Sequence, residues 1–347
     1  MSKKKLLIGI IAVAAAIIIG AFAFMMIGGR PVDPGNDEIV YVNIVDGTTS
    51  DQIAQQLESQ GLIRSATVFK LKAKMSGDDS KFKSGSYAIN KGMTTNHIIY
   101  LIANGKTAGK TFRVTEGQAI YKMAAELEDQ EICSQSEFLH EVENGKFDYP
   151  FMSMLPKGAN RLEGFLWPDT YSIPVSGGAH EAIDVMLKGF EDNVYNKYKD
   201  VISEKKLDFY DTIVKASIIE REASLEEDKP KVSSVIDNRI EKGMYLQMDS
   251  ILSYIHKEDK VIATYKDLEV NSKYNPYKNK GLPPGPICSP GDDSINAAIN
   301  PEDTDYLFFV NSPELDGSLT FCENETQFAN AKAEFEKAYS DYLKKNQ

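Results

Sequence analysis

The sequence predicts an α+β chain consisting of an N-terminal transmembrane helix, a small α/β module and a larger α+β domain. Three observations carry the prediction. Leu6 to Gly29 is a run of 24 residues without a charge. A strand, acidic-Gly turn and amphipathic helix pattern occurs twice, 70 residues apart. Helical stripes of apolar residues then give way, after Gly281, to Pro- and Gly-rich loops, two short strands and a terminal helix rich in Lys, Glu and Ala. With 347 residues, 42% of them apolar and 26% charged, the chain is long enough for two or three domains, and wholesale disorder is excluded.

At about 1.5 Å rise per residue the uncharged run can cross a hydrocarbon core of roughly 30 Å. Lys3, Lys4 and Lys5 precede it and only Arg30 follows, so the positive-inside tendency puts the N-terminus in the cytoplasm and the remainder outside. The rival reading is a cleaved secretory signal, because Ala21-Phe22-Ala23 is a small-x-small site. Phe24-Met25-Met26-Ile27 continues the apolar run past that site and favours a retained anchor. The formal charge of −12 divides unevenly, since residues 31–347 hold 35 basic and 51 acidic side chains, a net −16. A domain that acidic lacks the footprint for gripping nucleic acid. Cys133, Cys288 and Cys322 form no C-x-x-C and indicate neither a disulfide framework nor a zinc site; free thiols are expected, with a Cys288–Cys322 pair as the alternative.

Residues 1–30 are read as cytoplasmic tip and anchor, and 31–37 as a polar linker. In the first repeat copy, Val42-x-Ile44-x-Asp46-Gly47 leads to Ile53-Ala54-x-x-Leu57; in the second, Phe112-x-Val114-x-Glu116-Gly117 leads to Met123-Ala124-x-x-Leu127. The first copy continues through a helix near Ala66 to Met75, a strand at Gly85 to Ile89 and a helix from Asn96 to Asn104, closing a module at 38–108. Such a module suits either polymer binding or a spacer. The larger domain, 109–347, takes in the second copy at 110–140. Helices are expected at Glu181 to Asp200, at Phe209 to Ser224, and from Pro230 to a stop at Gly243, and strands at Tyr306 to Val310 and Leu319 to Cys322.

Several chemistries fall away. Gly105-Lys106-Thr107-Ala108-Gly109-Lys110-Thr111 imitates a phosphate loop, but Asn104 stands where the first glycine is required. His97, His140, His180 and His256 are isolated, with no H-E-x-x-H, and no G-x-S-x-G is present. Neither metal nor cofactor is expected. Carboxylate chemistry remains: helical spacing puts Ile213, Ala216, Ser217, Glu220 and Ala223 on one small, mostly apolar face, and Glu222, about 200° around, on another. A carboxyl desolvated there can hold a proton near neutrality, as a general acid for a glycosidic bond must. The plainer reading pairs Glu220 with Arg221 or Lys215 on a wet surface. Glu163 and Trp167 (the chain's one Trp), the Leu246-Gln247-Met248-Asp249-Ser250 run, and Tyr274-Asn275-Pro276-Tyr277 before Gly281-Leu282-Pro283-Pro284-Gly285-Pro286-Ile287 supply amide, carboxylate and aromatic groups. They suit a groove for a neutral, hydroxyl-rich polymer, or simply structural turns.

Taken in order, E-G-F-L-W-P-D-T-Y, A-S-I-I-E-R-E, N-R, L-Q-M-D-S, Y-N-P-Y and G-L-P-P-G-P-I-x-S-P-G resemble the signature series of the YceG-like family, the endolytic murein transglycosylases, over about 40 to 340. The resemblance implies an anchor, a LysM-like module and a YceG-like catalytic domain, with Glu220 as the single catalytic acid/base. It implies a substrate, nascent peptidoglycan, cut between N-acetylmuramic acid and N-acetylglucosamine to leave 1,6-anhydro ends. Gln247, Asp249, Asn275 and Tyr277 would line the groove, with Glu163 and Trp167 near it. Penicillin-binding proteins and other membrane-bound wall-synthesis proteins are the implied partners. In some relatives a His stands near the position of Phe328, so its auxiliary role is not carried over. Two other readings stay open: a hydrolytic muramidase in which Asp249 or another carboxylate activates water, and a non-catalytic wall-binding scaffold.

Overall fold

The structure, a computed structural model, describes residues 19–45, 47–175, 177–258 and 265–345. It is a mixed α+β fold, mostly helical, with three two-stranded sheets among the described residues. Most of the uncharged run lies outside those residues. Its last part, 19–28, is helical, and among the described residues no helix is long and apolar enough to cross a membrane.

The chain forms two compact units. One holds the described residues up to Lys110 together with Ser172–Gly178; the other holds Thr111–Tyr171 and everything from Ala179 onward. In the first unit β1 (Ile39–Ile44) pairs antiparallel with β2 (Gly85–Asn90), Val42 opposite Tyr87 and Ile44 opposite Gly85. Helices α1 (Ser50–Ser59), α2 (Ala66–Ser76) and α3 (Thr95–Ala103) cover the sheet. Each begins where the sequence supplies an oxygen for orphan N–H groups: Thr49 in a capping box with Gln52, then Ser65 and Thr94. Val42, Ile53, Leu57, Phe69, Tyr87, Ile98 and Ile102 are fully or almost fully buried between them. The segment after the 19–28 helix is fastened to this unit: Thr95 N–H donates to the Gly29 carbonyl at 3.2 Å, and Arg64 donates to the carbonyls of Pro31 and Val32.

β3 (Gly109–Arg113) pairs with β4 (Thr170–Pro174). Beyond β3 come α4 (Ile120–Asp129) and α5 (Gln135–Asn144). The two repeat copies share a glycine in the left-handed region after the acid, Gly47 at φ +79° and Gly117 at φ +76°. The long helix expected at Glu181 to Asp200 is interrupted: α6 (Gly178–Phe190) loosens into a π turn at Glu191–Tyr195 before α7 (Asn196–Glu204). At the centre of the second unit lies α8 (Phe209–Glu222), buried on every side from Thr212 to Ile219. α9 (Lys229–Glu241) packs on it, followed in the chain by α10 (Asp249–His256) and α11 (Tyr265–Leu268). α12 (Asp292–Ile299), in a region the sequence reads as loops, packs on α8 more extensively still. β5 (Phe308–Asn311) pairs with β6 (Leu319–Cys322) before the terminal α13 (Glu325–Lys345). Phe328 stacks on Phe308, centroids 5.4 Å apart. All three cysteines are free thiols, so the Cys288–Cys322 pair is not formed.

Candidate active site

The last turn of α8 carries Glu220 out of the buried run, its side chain 10% exposed. Helix α8 is fixed against the Pro/Gly loop by Ser217, whose hydroxyl donates to the Val214 carbonyl at 2.7 Å and accepts from Ile287 N–H at 3.0 Å. Gly164 explains the glycine in the E-G-F-L-W run: at φ +83°, a β-carbon there would stand 2.6 Å from the Pro286 ring and 3.2 Å from Ile213. The Pro/Gly loop thus closes down on α8 and delivers the N-terminus of α12 to Glu220.

Glu220 is not in the bare apolar setting the helix face suggests. Its Oε2 accepts from Ser294 Oγ at 2.6 Å, from Gly291 N–H at 3.0 Å and from the Lys229 ammonium at 3.3 Å, leaving Oε1 without a donor among the described residues. Lys215, one of the surface partners considered from sequence, pairs instead with Asp237 at 2.6 Å. Lys229 and Ser294 carry no motif that singles them out. Gly291 closes the S-P-G run, and the Gly-Asp-Asp-Ser pattern it begins is a readable helix start.

Glu222 serves a different neighbourhood. Glu222 is half-buried beside Ser250, its carboxyl is pushed up by desolvation, and its covered Oε1 has no hydrogen-bond partner among the described residues. The residues expected to line the groove gather on this side. Tyr277 donates its hydroxyl to Asp249 Oδ1 at 2.7 Å, the charges of Asp249 and Glu222 help raise the phenol, and Gln247 N–H donates to the Pro276 carbonyl at 3.2 Å. Gln247 and Asp249 are exposed; Tyr277 is half-buried.

Asn275 corrects the expectation that it lines a groove. It is fully buried: its amide donates to the Leu268 and Val270 carbonyls at 2.9 and 2.8 Å, and its Oδ1 accepts from Tyr277 N–H at 2.9 Å. With every polar atom of its side chain engaged, it holds the loop that presents Tyr277 and has nothing left to offer a ligand.

Glu163 is 2% exposed and accepts from Ile120 N–H at 3.0 Å, completing the N-terminus of α4, where Ala119 has no capping side chain. Burial pushes its carboxyl up to about 8. It lines a cavity of about 520 Å³ with Tyr121, Asn160, Tyr254, Lys257 and Tyr274. Tyr121 and Tyr254 also line a narrow crevice shared with Gly117, Arg221 and Ser250. Trp167 is half-buried and borders a more open cavity of about 530 Å³ with Asn193, Lys197 and Asp292, the residue after the glycine that donates to Glu220.

The arrangement sets one tethered carboxyl among clefts lined by amides and phenols, side chains of the kind that handle polar substrates. Residues 42–338 match the YceG-like family, and the chain belongs to that family. It is 32% identical over 333 residues to the endolytic murein transglycosylase of Bacillus subtilis (strain 168), covering 92% of this chain and 91% of the relative. It is 30% identical over 322 residues to the protein of the same name from Streptococcus pneumoniae (D39), covering 85% of this chain and 58% of that longer protein. The 2.6 Å crystal structure of a yceG-like protein from Listeria monocytogenes matches with a TM-score of 0.59 at 32% identity, covering 85% of this chain and 99% of that one.

Proposed function

We propose that this chain is a membrane-anchored endolytic lytic transglycosylase that cuts the bond between N-acetylmuramic acid and N-acetylglucosamine in nascent peptidoglycan and so terminates glycan strands. The curated relatives, each named endolytic murein transglycosylase, support the lytic transglycosylase activity and the peptidoglycan substrate. The observation that carries the catalytic assignment is Glu220, pinned through Oε2 by Lys229, Gly291 and Ser294, with no donor to Oε1 among the described residues. The protonated carboxyl gives its proton to the glycosidic oxygen as the muramyl C1–O bond breaks. As carboxylate it then takes the proton of the muramyl C6 hydroxyl, whose oxygen closes on C1 to leave a 1,6-anhydro end. The proton account closes on one residue, with no water consumed.

Leu6 to Gly29 is the anchor in this reading, with the N-terminus cytoplasmic and both units outside. The first unit is a LysM-like module facing the wall polymer, and penicillin-binding proteins and other wall-synthesis membrane proteins are the expected partners. Gln247, Asp249 and Tyr277 contact the strand beyond Glu222, and Trp167 offers a face to a sugar ring beside Asp292. Digestion of peptidoglycan followed by mass spectrometry tests the reading. Anhydro-muramyl ends that disappear in Glu220→Gln are expected. Purely reducing ends would instead identify a muramidase, an absence of digestion by the parent protein would leave a scaffold, and full activity in Glu220→Gln would take the acid/base role away from Glu220.

A further inference from the structure

The uncharged run ends on two glycines that let it lie against α2. A β-carbon at Gly28 would stand 2.6 Å from Val68 Cγ2, and one at Gly29 would stand 2.4 Å from Lys72 Cε. The Thr95 hydrogen bond to Gly29 and the grip of Arg64 on Pro31 and Val32 complete this seat. One turn before Gly29, half-buried Met25 forms one wall of a groove of about 440 Å³, and the other wall includes Lys72 and Met75 of α2 with Asn96 and Tyr100 of α3.

The rim of this groove is apolar and basic. Met75 is 77% exposed, Tyr100 51% and Leu71 44%, and Leu71, Lys74 and Met75 stand at i, i+3 and i+4 on one strip of α2. That helix holds three lysines and no acid, although residues 31–347 are net −16. Lys70 pairs with Asp51, Lys72 reaches Asn96 Oδ1 at 3.1 Å, and Lys74 is exposed. The acid of the groove, Asp78, is paired with Lys81 at 3.0 Å. The depth of the rim follows from the run itself. At about 1.5 Å per residue, 24 residues span about 36 Å, about 6 Å more than a hydrocarbon core of roughly 30 Å. Met25 stands about 6 Å back from Gly29, which puts it and the groove it lines at the edge of the hydrocarbon.

We propose that this face of the first unit rests on the extracytoplasmic surface of the bilayer, with Leu71, Met75 and Tyr100 entering the boundary between headgroups and acyl chains and Lys72 and Lys74 reaching lipid phosphates. The occupant is lipid because the groove is continuous with the anchor: what surrounds Met25 meets Met75 and Tyr100 without interruption. Tyrosine favours that boundary, and lysine stems lie along apolar surface while their ammonium groups stay in the polar layer. The proposal rests on the reading of Leu6 to Gly29 as a membrane anchor.

The test is fluorescence of the intact chain in vesicles of phosphatidylcholine and phosphatidylglycerol, with Met75→Trp and Tyr100→Trp as separate probes and Trp167, the chain's one tryptophan, as the baseline. The exposure of both positions lets the larger ring be carried without repacking. The added emission should be quenched by lipid brominated near the headgroup end of its acyl chains, and less by lipid brominated near the chain ends. Combining Met75→Trp with Lys72→Glu and Lys74→Glu should lose part of that quenching, as should added salt. A chain that floats with the vesicles while both new tryptophans stay unquenched overturns the proposal and gives the face to a second copy or a partner protein. Quenching untouched by the charge reversals and by salt overturns the role of the lysines. Failure of the anchor reading looks different: alkaline carbonate would then strip the parent chain from the vesicles.

Discussion

Replacing Asn275 by alanine separates a scaffolding role from a substrate-contact role. The side chain is fully buried and makes three hydrogen bonds of 2.8 to 2.9 Å, to the carbonyls of Leu268 and Val270 and from Tyr277 N–H. A net value of about 1 kcal/mol for each bond puts the loss at about 3 kcal/mol, and more wherever water does not reach the orphaned partners. For a unit of 150–250 residues about 2–4 °C is lost per kcal/mol, so the midpoint of thermal unfolding should fall by roughly 6–12 °C. Calorimetry of Asn275→Ala reads this directly, and Michaelis kinetics on peptidoglycan taken well below the new midpoint read the rest. KM should rise modestly, because Tyr277 and the Pro276 carbonyl that receives Gln247 lose their support. A midpoint within a degree of the parent, combined with a large rise in KM, would refute the scaffold assignment and return Asn275 to the groove wall.

Gly164→Ala forces a β-carbon against Pro286 at φ +83°, and the combined strain and overlap should cost about 2–4 kcal/mol, seen as a lower urea midpoint; an unchanged midpoint would mean that the loop yields freely. Glu163 gives a pH signature. Its folded-state value of about 8 lies above the ordinary 4.5, so across that window the unfolded chain has released a proton that the folded chain retains. Stability should therefore fall as pH rises from about 4.5 and level off above about 8, and Glu163→Gln should flatten that slope; identical slopes in urea titrations of the two proteins would contradict the burial argument.

What the sequence makes legible is mostly local. The strand and helix starts of the first unit follow from alternation and from Thr49, Ser65 and Thr94 as caps, and the helical spacing of Glu220 and Glu222 already says that they face apart. The partners of Glu220 are not local: Lys229 and Ser294 come from other helices, and Gly291 arrives at the end of a Pro/Gly loop whose path depends on how closely Gly164 and Ser217 let it approach α8. Asn275 misleads for the same reason. A polar residue between a phenol and a proline reads as exposed, and only the fold shows its amide consumed by carbonyls five and seven residues upstream. Helix α12 follows a Pro/Gly-rich stretch that reads as loop, and only its Gly-Asp-Asp-Ser start marks it in the sequence.

The return of the chain to the first unit at Ser172–Gly178 has a bearing on how the protein is made. That unit is not contiguous, and its last piece is separated from Lys110 by all of Thr111–Tyr171. As the polypeptide emerges in order, the first unit cannot be completed until residue 178 is available. By then a stretch of the second unit is already exposed without α8, around which it must assemble. The order of synthesis therefore binds the maturation of the two units together, and a cassette cut out at residue 110 would omit part of its own structure.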